Sequence, residues 1–383
     1  MSVSAAYRLV LARGLRGFAD GAVMVLLTRH LASLGFDGAT SGVLMTATLL
    51  GSAGATLALG LFGHRLPPRG VLLFGSALMF FTAVGFFTVS AFAVLMVIAV
   101  LGTLNPSSGD VSFILPTEQA AIGGLAEGQQ RVTLFAAYSI AGRAGVAAGA
   151  LAGGVAPFGL RSGFVFAMGV ALVCFVIYLG LRLPAPAVAP PKVPLQRSRD
   201  VVVKLSLFFA LDSAGGGFAL ESLLVFWLQR RFNLELEVLG VVFFAVSILN
   251  GVSQLVSVPV ARRFGLINTM VFTHLPANVF LILAALMPTA PLAVACILLR
   301  ACLTQMDVPA RQAFVMAVVP AEERTSAASV TAVPRALASG VTPAIAGAML
   351  EATAFGWPLV IAGCLKVTYD LLMLFTFRET KVS

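Results

Sequence analysis

Residues 105–120 read NPSSGDVSFILPTEQA, and the end of this stretch returns later in the chain. PTEQA at 116–120 is matched by PARQA at 309–313, which lies 193 positions further on. An arginine follows each proline by fifteen residues, Arg131 in the first case and Arg324 in the second. Because this shift is about half of the 383-residue chain, the pattern predicts two copies of one structural unit.

The composition indicates a membrane protein. Hydrophobic residues make up 59% of the chain and charged residues 11%, whereas soluble domains carry about 25% charged residues. A net charge of +9 is better explained by cytoplasmic loops and lipid headgroups than by nucleic acid, so we expect contact with lipids and no nucleic-acid partner. The four cysteines lie in apolar segments without metal-like spacing, and we expect them to be reduced core residues.

Hydrophobic windows predict the number of membrane spans. A spanning helix needs about 20 mostly apolar residues, and twelve windows qualify. The sequence therefore predicts an all-α membrane protein with twelve transmembrane helices, although short breaks between the third and fourth and between the ninth and tenth windows leave eleven open. The windows are 15–36, 39–62, 70–89, 92–116, 132–156, 163–182, 203–228, 237–260, 266–287, 291–311, 326–350 and 354–377.

A segment with five prolines followed by basic residues separates the sixth and seventh windows and is typical of a semi-extended linker. We predict an N-terminal six-helix bundle over 1–183, a cytoplasmic linker over 184–202 and a C-terminal six-helix bundle over 203–383. With the N-terminus inside, most loop arginines and lysines fall on the cytoplasmic side. This asymmetry predicts a multi-pass protein of the cell inner membrane with both termini in the cytoplasm.

Further matches extend the repeat. Gly42 corresponds to Gly240 at a shift of 198, and Asp20 corresponds to Asp212 at a shift of 192. Arg143 and Arg335 also differ by 192. Two copies of six helices each run the same way through a membrane. We therefore expect a pseudo-two-fold axis along the membrane normal and a site between the copies.

Two stretches resemble motifs of a known family. Residues 60–70 read GLFGHRLPPRG. They are similar to G-x-x-x-D-R-x-G-R-R, the signature loop of the major facilitator superfamily, with Arg65 and Arg69 in matching positions and His64 in place of the Asp. Residues 145–154 read GVAAGALAGG, which resembles the G-x-x-x-G-P-x-x-G-G motif of the family's proton-coupled exporters, with Ala150 in place of Pro. The resemblance covers nearly the whole chain and implies secondary transport. We also expect the small residues of this stretch to pack against another helix, plausibly one in the other half.

Ionisable residues inside the predicted spans must pair, face water or lose their charge, because each costs at least ~3 kcal/mol at mid-bilayer. The repeat suggests two pairs, Asp20 with Arg143 and Asp212 with Arg335, acting either in transport or as static locks within each bundle. On the twelfth helix, Lys366 and Asp370 are spaced i, i+4 and are expected to neutralise each other.

Site roles follow from these positions. Asp110 is the first choice for a proton-coupling residue, since it stands in apolar surroundings without a basic counterpart; Asp20 and Asp212 come next. A satisfied polar kink is the alternative for Asp110. Further predicted residues are those of the substrate cavity, Asn105, Ser107, Arg143, Arg300, Asp307 and Arg335, and those of the gates, Arg65, Glu118, Arg131, Arg311 and Arg324. For Glu118 and Arg311 a solvated surface pair is equally plausible.

The predicted function is proton-coupled efflux of a small organic molecule by an alternating-access antiporter. Uptake of an organic anion or zwitterion by symport stays open, as does metal-ion transport. The sequence holds no H-E-x-x-H, G-x-S-x-G or P-loop motif, so neither an enzyme nor direct use of ATP is expected. We expect no cofactor and no resident metal, and a monomer whose partners are protons, lipids and the transported molecule.

Overall fold

The computed structural model describes residues 2–62, 66–107, 112–125, 128–181, 183 and 197–378, and its regular elements are helices throughout these ranges. The α-helices, in chain order, are α1 Ser2–Ser33, α2 Gly38–Phe62, α3 Pro68–Thr88, α4 Phe92–Leu101, α5 Ile114–Leu125, α6 Gly128–Val155, α7 Ser162–Leu179, α8 Arg199–Phe218, α9 Glu221–Phe232, α10 Leu236–Phe264, α11 Leu266–Leu286, α12 Ala290–Ala301, α13 Asp307–Val318, α14 Arg324–Ala352 and α15 Trp357–Phe377.

Each of the twelve predicted windows contains at least one helix, but three windows contain two. The fourth window holds α4 and the start of α5, the seventh holds α8 and part of α9, and the tenth holds α12 and the start of α13. Proline and glycine account for two of these breaks. Pro106 lacks the backbone N–H that a continuous helix requires, and the run Gly215–Gly217 weakens the last turn of α8.

Eight helical segments among the described residues are long and apolar enough to cross a membrane. One of them, Arg199–Phe232, combines α8 and α9. Many apolar side chains on these segments are exposed, for example Phe81 at 67% and Phe375 at 78%. Exposed apolar surface of this extent fits a lipid environment, so the chain is a multi-pass membrane protein.

Helix contacts repeat between the first half of the chain, α1–α7, and the second half, α8–α15. In the first half α1 packs against α6 and α7, α3 against α7, and α2 against α4. In the second half α8 packs against α14 and α15, α11 against α15, and α10 against α12. Two further contacts, α2 with α14 and α6 with α10, join the halves and also correspond to one another.

The glycines of α6 face α1. A Cβ atom added to Gly149 would lie 1.9 Å from the carbonyl oxygen of Phe18, and one added to Gly145 would lie 2.0 Å from that of Gly14. Only glycine allows two helix backbones to approach this closely. The expectation that this face packs against the other half is therefore wrong for Gly145 and Gly149, which pack within the first half.

Contacts between the halves use a different set of glycines. Gly154 at the end of α6 meets Gly240 of α10, where an added Cβ would lie 2.9 Å from the Gly240 Cα. At the corresponding place on the other side, an added Cβ on Gly42 of α2 would lie 2.4 Å from the carbonyl oxygen of Pro343 in α14. Gly42 and Gly240, which the repeat relates, thus lie in corresponding contacts between the halves.

Candidate functional site

A closed polar cluster lies inside the first half, centred on Glu118. Glu118 is completely buried, and Arg16 of α1 forms a salt bridge with it at 2.7 Å. The hydroxyl of Tyr138 donates a hydrogen bond to Glu118 at 2.5 Å, and that of Tyr178 donates another at 2.7 Å. Arg16 also donates to the Tyr178 hydroxyl at 2.7 Å. We call these four residues the Glu118 cluster; it ties α1, α5, α6 and α7 together.

This position differs from the surface or helix-end position considered for Glu118, because the carboxylate is enclosed by side chains of its own half. A gating role for Glu118 stays a prediction. Neither Arg16 nor the two tyrosines were expected from the sequence, since tyrosines in apolar helices give no signal of their depth or orientation. Arg16 stands only three residues after Arg13 and reads as part of a basic N-terminal flank.

Asp20 lies beside the break between α4 and α5. The side-chain amide of Asn105 donates a hydrogen bond to Asp20 at 3.0 Å. Ser107 in turn donates its N–H and its hydroxyl to the Asn105 side-chain oxygen, at 3.1 Å and 2.9 Å. The structure therefore brings together three residues that the sequence assigned to coupling and to the substrate cavity. A small opening beside them is lined by Arg16, Asp20, Met79, Thr103, Asn105, Ser112 and Ile114.

A larger charged cluster lies inside the second half. Asp212 of α8 accepts a hydrogen bond from Lys366 of α15 at 2.7 Å and one from Arg311 of α13 at 2.8 Å. Arg311 also lies 3.7 Å from the carboxylate of Asp307. All four of these side chains are buried.

The same cluster continues to α11. The Nδ1 atom of His274 lies 2.8 Å from Asp370 of α15, and Nε2 lies 3.7 Å from Asp212. Asn278, one turn beyond His274, donates to Asp370 at 3.2 Å. We call the set Asp212, His274, Asn278, Asp307, Arg311, Lys366 and Asp370 the Asp212 cluster.

Two predicted ion pairs are wrong in the second half. Arg335 does not pair with Asp212; its Nε donates to the hydroxyl of Ser213 at 3.4 Å and its guanidinium lies 5.8 Å from the ring centroid of Phe209. Lys366 does not pair with Asp370, because its ammonium group binds Asp212 instead. In both cases the side chain has a nearer partner on α8 than the one predicted: Ser213 for Arg335 and Asp212 for Lys366.

Between the halves lies a region that we call the seam, which contains Arg143, Glu221, Arg300 and Gln305. Arg143 of α6 donates a hydrogen bond to the side-chain oxygen of Gln305 at 3.1 Å, which joins the first half to the second. The carboxylate of Glu221 interacts electrostatically with both Arg143 and Arg300. The Nε atom of Arg300 is buried and makes no hydrogen bond with any residue that the structure describes. The seam therefore contains two cations that interact electrostatically with Glu221.

Other sequence-based assignments are resolved only in part. Asp110 and Arg65 lie outside the described residues, as does most of the predicted linker. Arg324 begins α14, and Arg131 is exposed in the first turn of α6. Within the described ranges, no group of three or more His, Cys, Asp and Glu side chains is arranged to hold a metal ion, and all four cysteines are free thiols.

His274, Asn278 and Gln305 had no assigned role in the predicted site. A polar pair at i, i+4 on an apolar helix, as His274 and Asn278 form on α11, is a signal that could have found two of them. Gln305 stands in the break between α12 and α13, so its direction was not readable from helical periodicity.

Comparison with protein families agrees with this fold. The family described as Major Facilitator Superfamily matches residues 9–305 and 213–383. The chain belongs to the major facilitator superfamily. A relative among curated proteins, an uncharacterized membrane protein of Saccharomyces cerevisiae, is 24% identical and spans 94% of this chain and 91% of its own length.

Solved structures of superfamily members share the fold. The nucleoside transporter NupG superposes with a TM-score of 0.75 at 14% identity, covering 98% of this chain and 100% of its own. A bacterial homologue of the human lysosomal transporter Spinster, solved inward-facing and unoccupied, gives 0.70 at 15% identity, with 98% and 95% covered. The human organic anion transporter MFSD10 gives 0.68 at 16% identity, with 97% and 99% covered. This superfamily member is therefore a membrane transport protein.

Proposed function

We propose that this protein is a secondary active transporter with twelve spans in two six-helix bundles related by a pseudo-two-fold axis along the membrane normal. The bundles are 1–183 and 203–383, joined by a cytoplasmic linker over 184–202, and both termini lie in the cytoplasm of a cell whose inner membrane holds the protein. The corresponding helix contacts in the two halves support this arrangement. Three predicted spans are then pairs of shorter helices, α4–α5, α8–α9 and α12–α13.

The proposed conformation is inward-facing. Contacts between the halves concentrate where α2 begins and α14 ends, and where α6 ends and α10 begins. Glu351 at the end of α14 accepts a hydrogen bond from the Gly38 N–H at 2.8 Å and forms a salt bridge with Arg230 at 3.3 Å. In the proposed orientation these helix ends are on the outer side. Towards the other end of α2, a Cβ added at Gly54 or Gly60 would meet no atom within 4 Å.

We propose that transport is coupled to protons and that the protein exports a small organic molecule as an antiporter. The observation that carries this proposal is the Asp212 cluster, because each of its buried charges costs several kcal/mol in a membrane protein. The proposed coupling residues are Asp110, Asp20 and Asp212. Asp212 already has two cationic partners, so it can take a proton only if those contacts change during transport.

A second candidate is the uptake of an organic anion. Arg300 at the seam has a buried Nε without a described hydrogen-bond partner, and Arg335 is bonded to a hydroxyl rather than to a carboxylate. A carboxylate or phosphate of a substrate would supply the missing acceptor for these guanidinium groups. MFSD10 is by name an organic anion transporter. The remaining proposed cavity residues are Asn105, Ser107, Arg143 and Asp307, and the proposed gates use Arg65, Glu118, Arg131, Arg311 and Arg324.

The test uses purified protein in proteoliposomes under an imposed pH gradient. Uridine, benzoate and ethidium represent a nucleoside, an organic anion and an organic cation, and any compound that stabilises the protein against heat is carried forward. Antiport predicts that flux rises when the acidic side is opposite to the loaded compound, and symport predicts the reverse. Asp110→Asn should lower gradient-driven flux, whereas Asp200→Asn, at an exposed position in the first turn of α8, should not. Flux that is indifferent to the pH gradient would contradict proton coupling.

A further inference from the structure

The charges of the Asp212 cluster do not balance without a titratable proton. Among the residues that the structure describes, the carboxylates of Asp212, Asp307 and Asp370 meet only two permanently charged cations within salt-bridge distance, Lys366 and Arg311. The remaining ionisable side chain in direct contact is His274. The cluster is therefore neutral when His274 is charged and carries one net negative charge when it is not. In a medium of low dielectric constant that difference is large.

Charged and titratable groups outside the direct contacts lie mostly on the seam side. Arg300 and Arg335 interact electrostatically with Asp212 from α12 and α14. Both are partly exposed, and Arg335 points its Nε at Ser213 rather than at a carboxylate. The phenol of Tyr369 on α15 is buried, and its ring contacts His274 edge-on with centroids 5.9 Å apart.

The two ring nitrogens of His274 have different surroundings. Nδ1 lies 2.8 Å from an oxygen of Asp370, a distance at which a hydrogen atom must lie between the two atoms. The amide nitrogen of Asn278 lies 3.1 Å from Nδ1 and donates to the other Asp370 oxygen at 3.2 Å. Nε2 faces Asp212 at 3.7 Å, which is too long for a hydrogen bond and leaves this nitrogen able to bear a hydrogen or a lone pair. The neutral ring would donate from Nδ1 to Asp370, and the charged ring would donate to Asp370 and towards Asp212 together.

We propose that His274, whose ring lies between Asp370 and Asp212, is the proton-binding residue of the second half. The proton binds at Nε2, on the side of the ring that faces Asp212. Protonation transfers one proton from a hydronium ion to Nε2, leaves a water molecule behind and converts the neutral imidazole to imidazolium. Deprotonation returns the proton to a water molecule, which regenerates hydronium and the neutral imidazole. This proposal rests on proton-coupled transport only for its biological role, since proton binding itself can be measured without a transported compound.

A change of charge on His274 would reach the seam through Asp212. Protonation competes with Lys366 and Arg311 for the Asp212 carboxylate, because all three donors face its two oxygens. Asp212 precedes Ser213, which binds Arg335 of α14, and the carbonyl of Ala214 accepts a hydrogen bond from Thr342 of α14 at 3.1 Å. Helix α14 is one of the two helices of the second half that contact the first half closely.

The test is nitrogen NMR of the full-length protein in lipid nanodiscs with ¹⁵N-labelled histidine. The chain has three histidines, so comparison with His274→Gln assigns the His274 signals. We expect His274 to change between the charged and neutral ring within pH 5 to 9, with Nε2 as the nitrogen that loses its hydrogen. A His274 that stays fully charged or fully neutral across this range would overturn the proposal on the wild-type protein alone.

Asp370→Asn provides the second measurement. Removing the anion that Nδ1 contacts should lower the ratio of charged to neutral His274 at a given pH by about tenfold, since an adjacent opposite charge is worth a pH unit or more. His30, which is buried in the first half beside the carbonyl of Phe86, is the matched control, and its signals should not change. An unchanged His274 titration in a folded Asp370→Asn variant would overturn the proposal. If His274 binds a proton but transport does not depend on pH, the proposed proton-coupled function is contradicted. The proposal that His274 binds a proton is then still supported.

Discussion

At the scale of single residues, the buried charge of Glu118 is held by several short contacts. Glu118 accepts from one guanidinium and two phenols, and it has no exposed surface. Breaking such an ion pair leaves the other charge buried and alone, which costs more than the pair contributes over an apolar substitute. The Glu118 cluster is thus a point where stability is expected to be sensitive.

We predict that Glu118→Ala lowers the free energy of unfolding by about 3–5 kcal/mol, because Arg16 would remain buried without its carboxylate. Unfolding in detergent, followed by helical circular dichroism, measures this effect. Glu322→Ala, at an exposed position, is the control and should change stability by less than about 0.5 kcal/mol. A Glu118→Ala variant as stable as the control would show that the cluster adds nothing to the fold.

A second residue-scale prediction concerns the start of α2. The Asp37 carboxylate accepts hydrogen bonds from the N–H and the hydroxyl of Thr40, at 2.7 Å and 2.5 Å, and so caps the helix. Asp37→Ala should cost about 1 kcal/mol in unfolding free energy, while Asp37→Asn should cost much less. Equal losses for the two substitutions would contradict a capping role.

The cap also has a pH dependence of known sign. The Thr40 hydroxyl and N–H hold the pKa of Asp37 below its ordinary value of 3.8. Because the folded-state pKa is the lower one, the contribution of the cap is present above pH ~4 and is lost as the pH falls through the lowered value. At neutral pH the charged cap is therefore fully formed.

At the scale of helices, close backbone approach between α1 and α6 fixes the core of the first half. Gly149→Ala should disrupt it, since the added methyl would lie 1.9 Å from the Phe18 carbonyl oxygen. We expect a loss of about 1–3 kcal/mol from overpacking, measured by thermal unfolding. Gly169→Ala on α7, where a Cβ meets nothing within 4 Å, is the matched control and should leave stability unchanged or raise it slightly. Equal effects at the two positions would contradict close α1–α6 packing as the cause.

At the scale of the whole molecule, the balance between the halves is expected to depend on the contact around Glu351. This carboxylate joins the N-terminus of α2 to Arg230, and both partners of the salt bridge are about one-third exposed. We predict that Glu351→Gln shifts the population towards a state open at this end by about two- to fivefold, because a partly exposed ion pair contributes up to about 1 kcal/mol.

Spin labels on α2 and α14 near these helix ends measure this change in population. In pulsed electron–electron double resonance, the open state gives a longer distance between the two labels. Glu235→Gln, an exposed acidic residue just before α10, is the control. A distance distribution that is the same in Glu351→Gln and in the control would show that this contact does not set the conformational balance.

Most of the helical framework was predictable from the sequence. Apolar windows placed a helix in every predicted span, and the repeat placed Gly42 and Gly240 in corresponding contacts. Both follow from one-dimensional patterns, since membrane helices satisfy their backbone locally and small residues mark close helix approach. The breaks in α4–α5 and α12–α13 were not predicted, because each falls inside a window that is apolar enough on average to count as one span.

The partners of the buried charges were decided by the tertiary structure. Composition and window length determined by themselves that the chain is a helical membrane protein, and the repeat predicted two related halves. They did not determine that Lys366 binds Asp212, that Arg335 binds Ser213, or that His274 bridges two carboxylates. A charged side chain in a helix bundle can reach several neighbouring helices at the same depth. Which neighbour it meets depends on how the helices rotate and tilt when they pack, and no spacing along the chain encodes that choice.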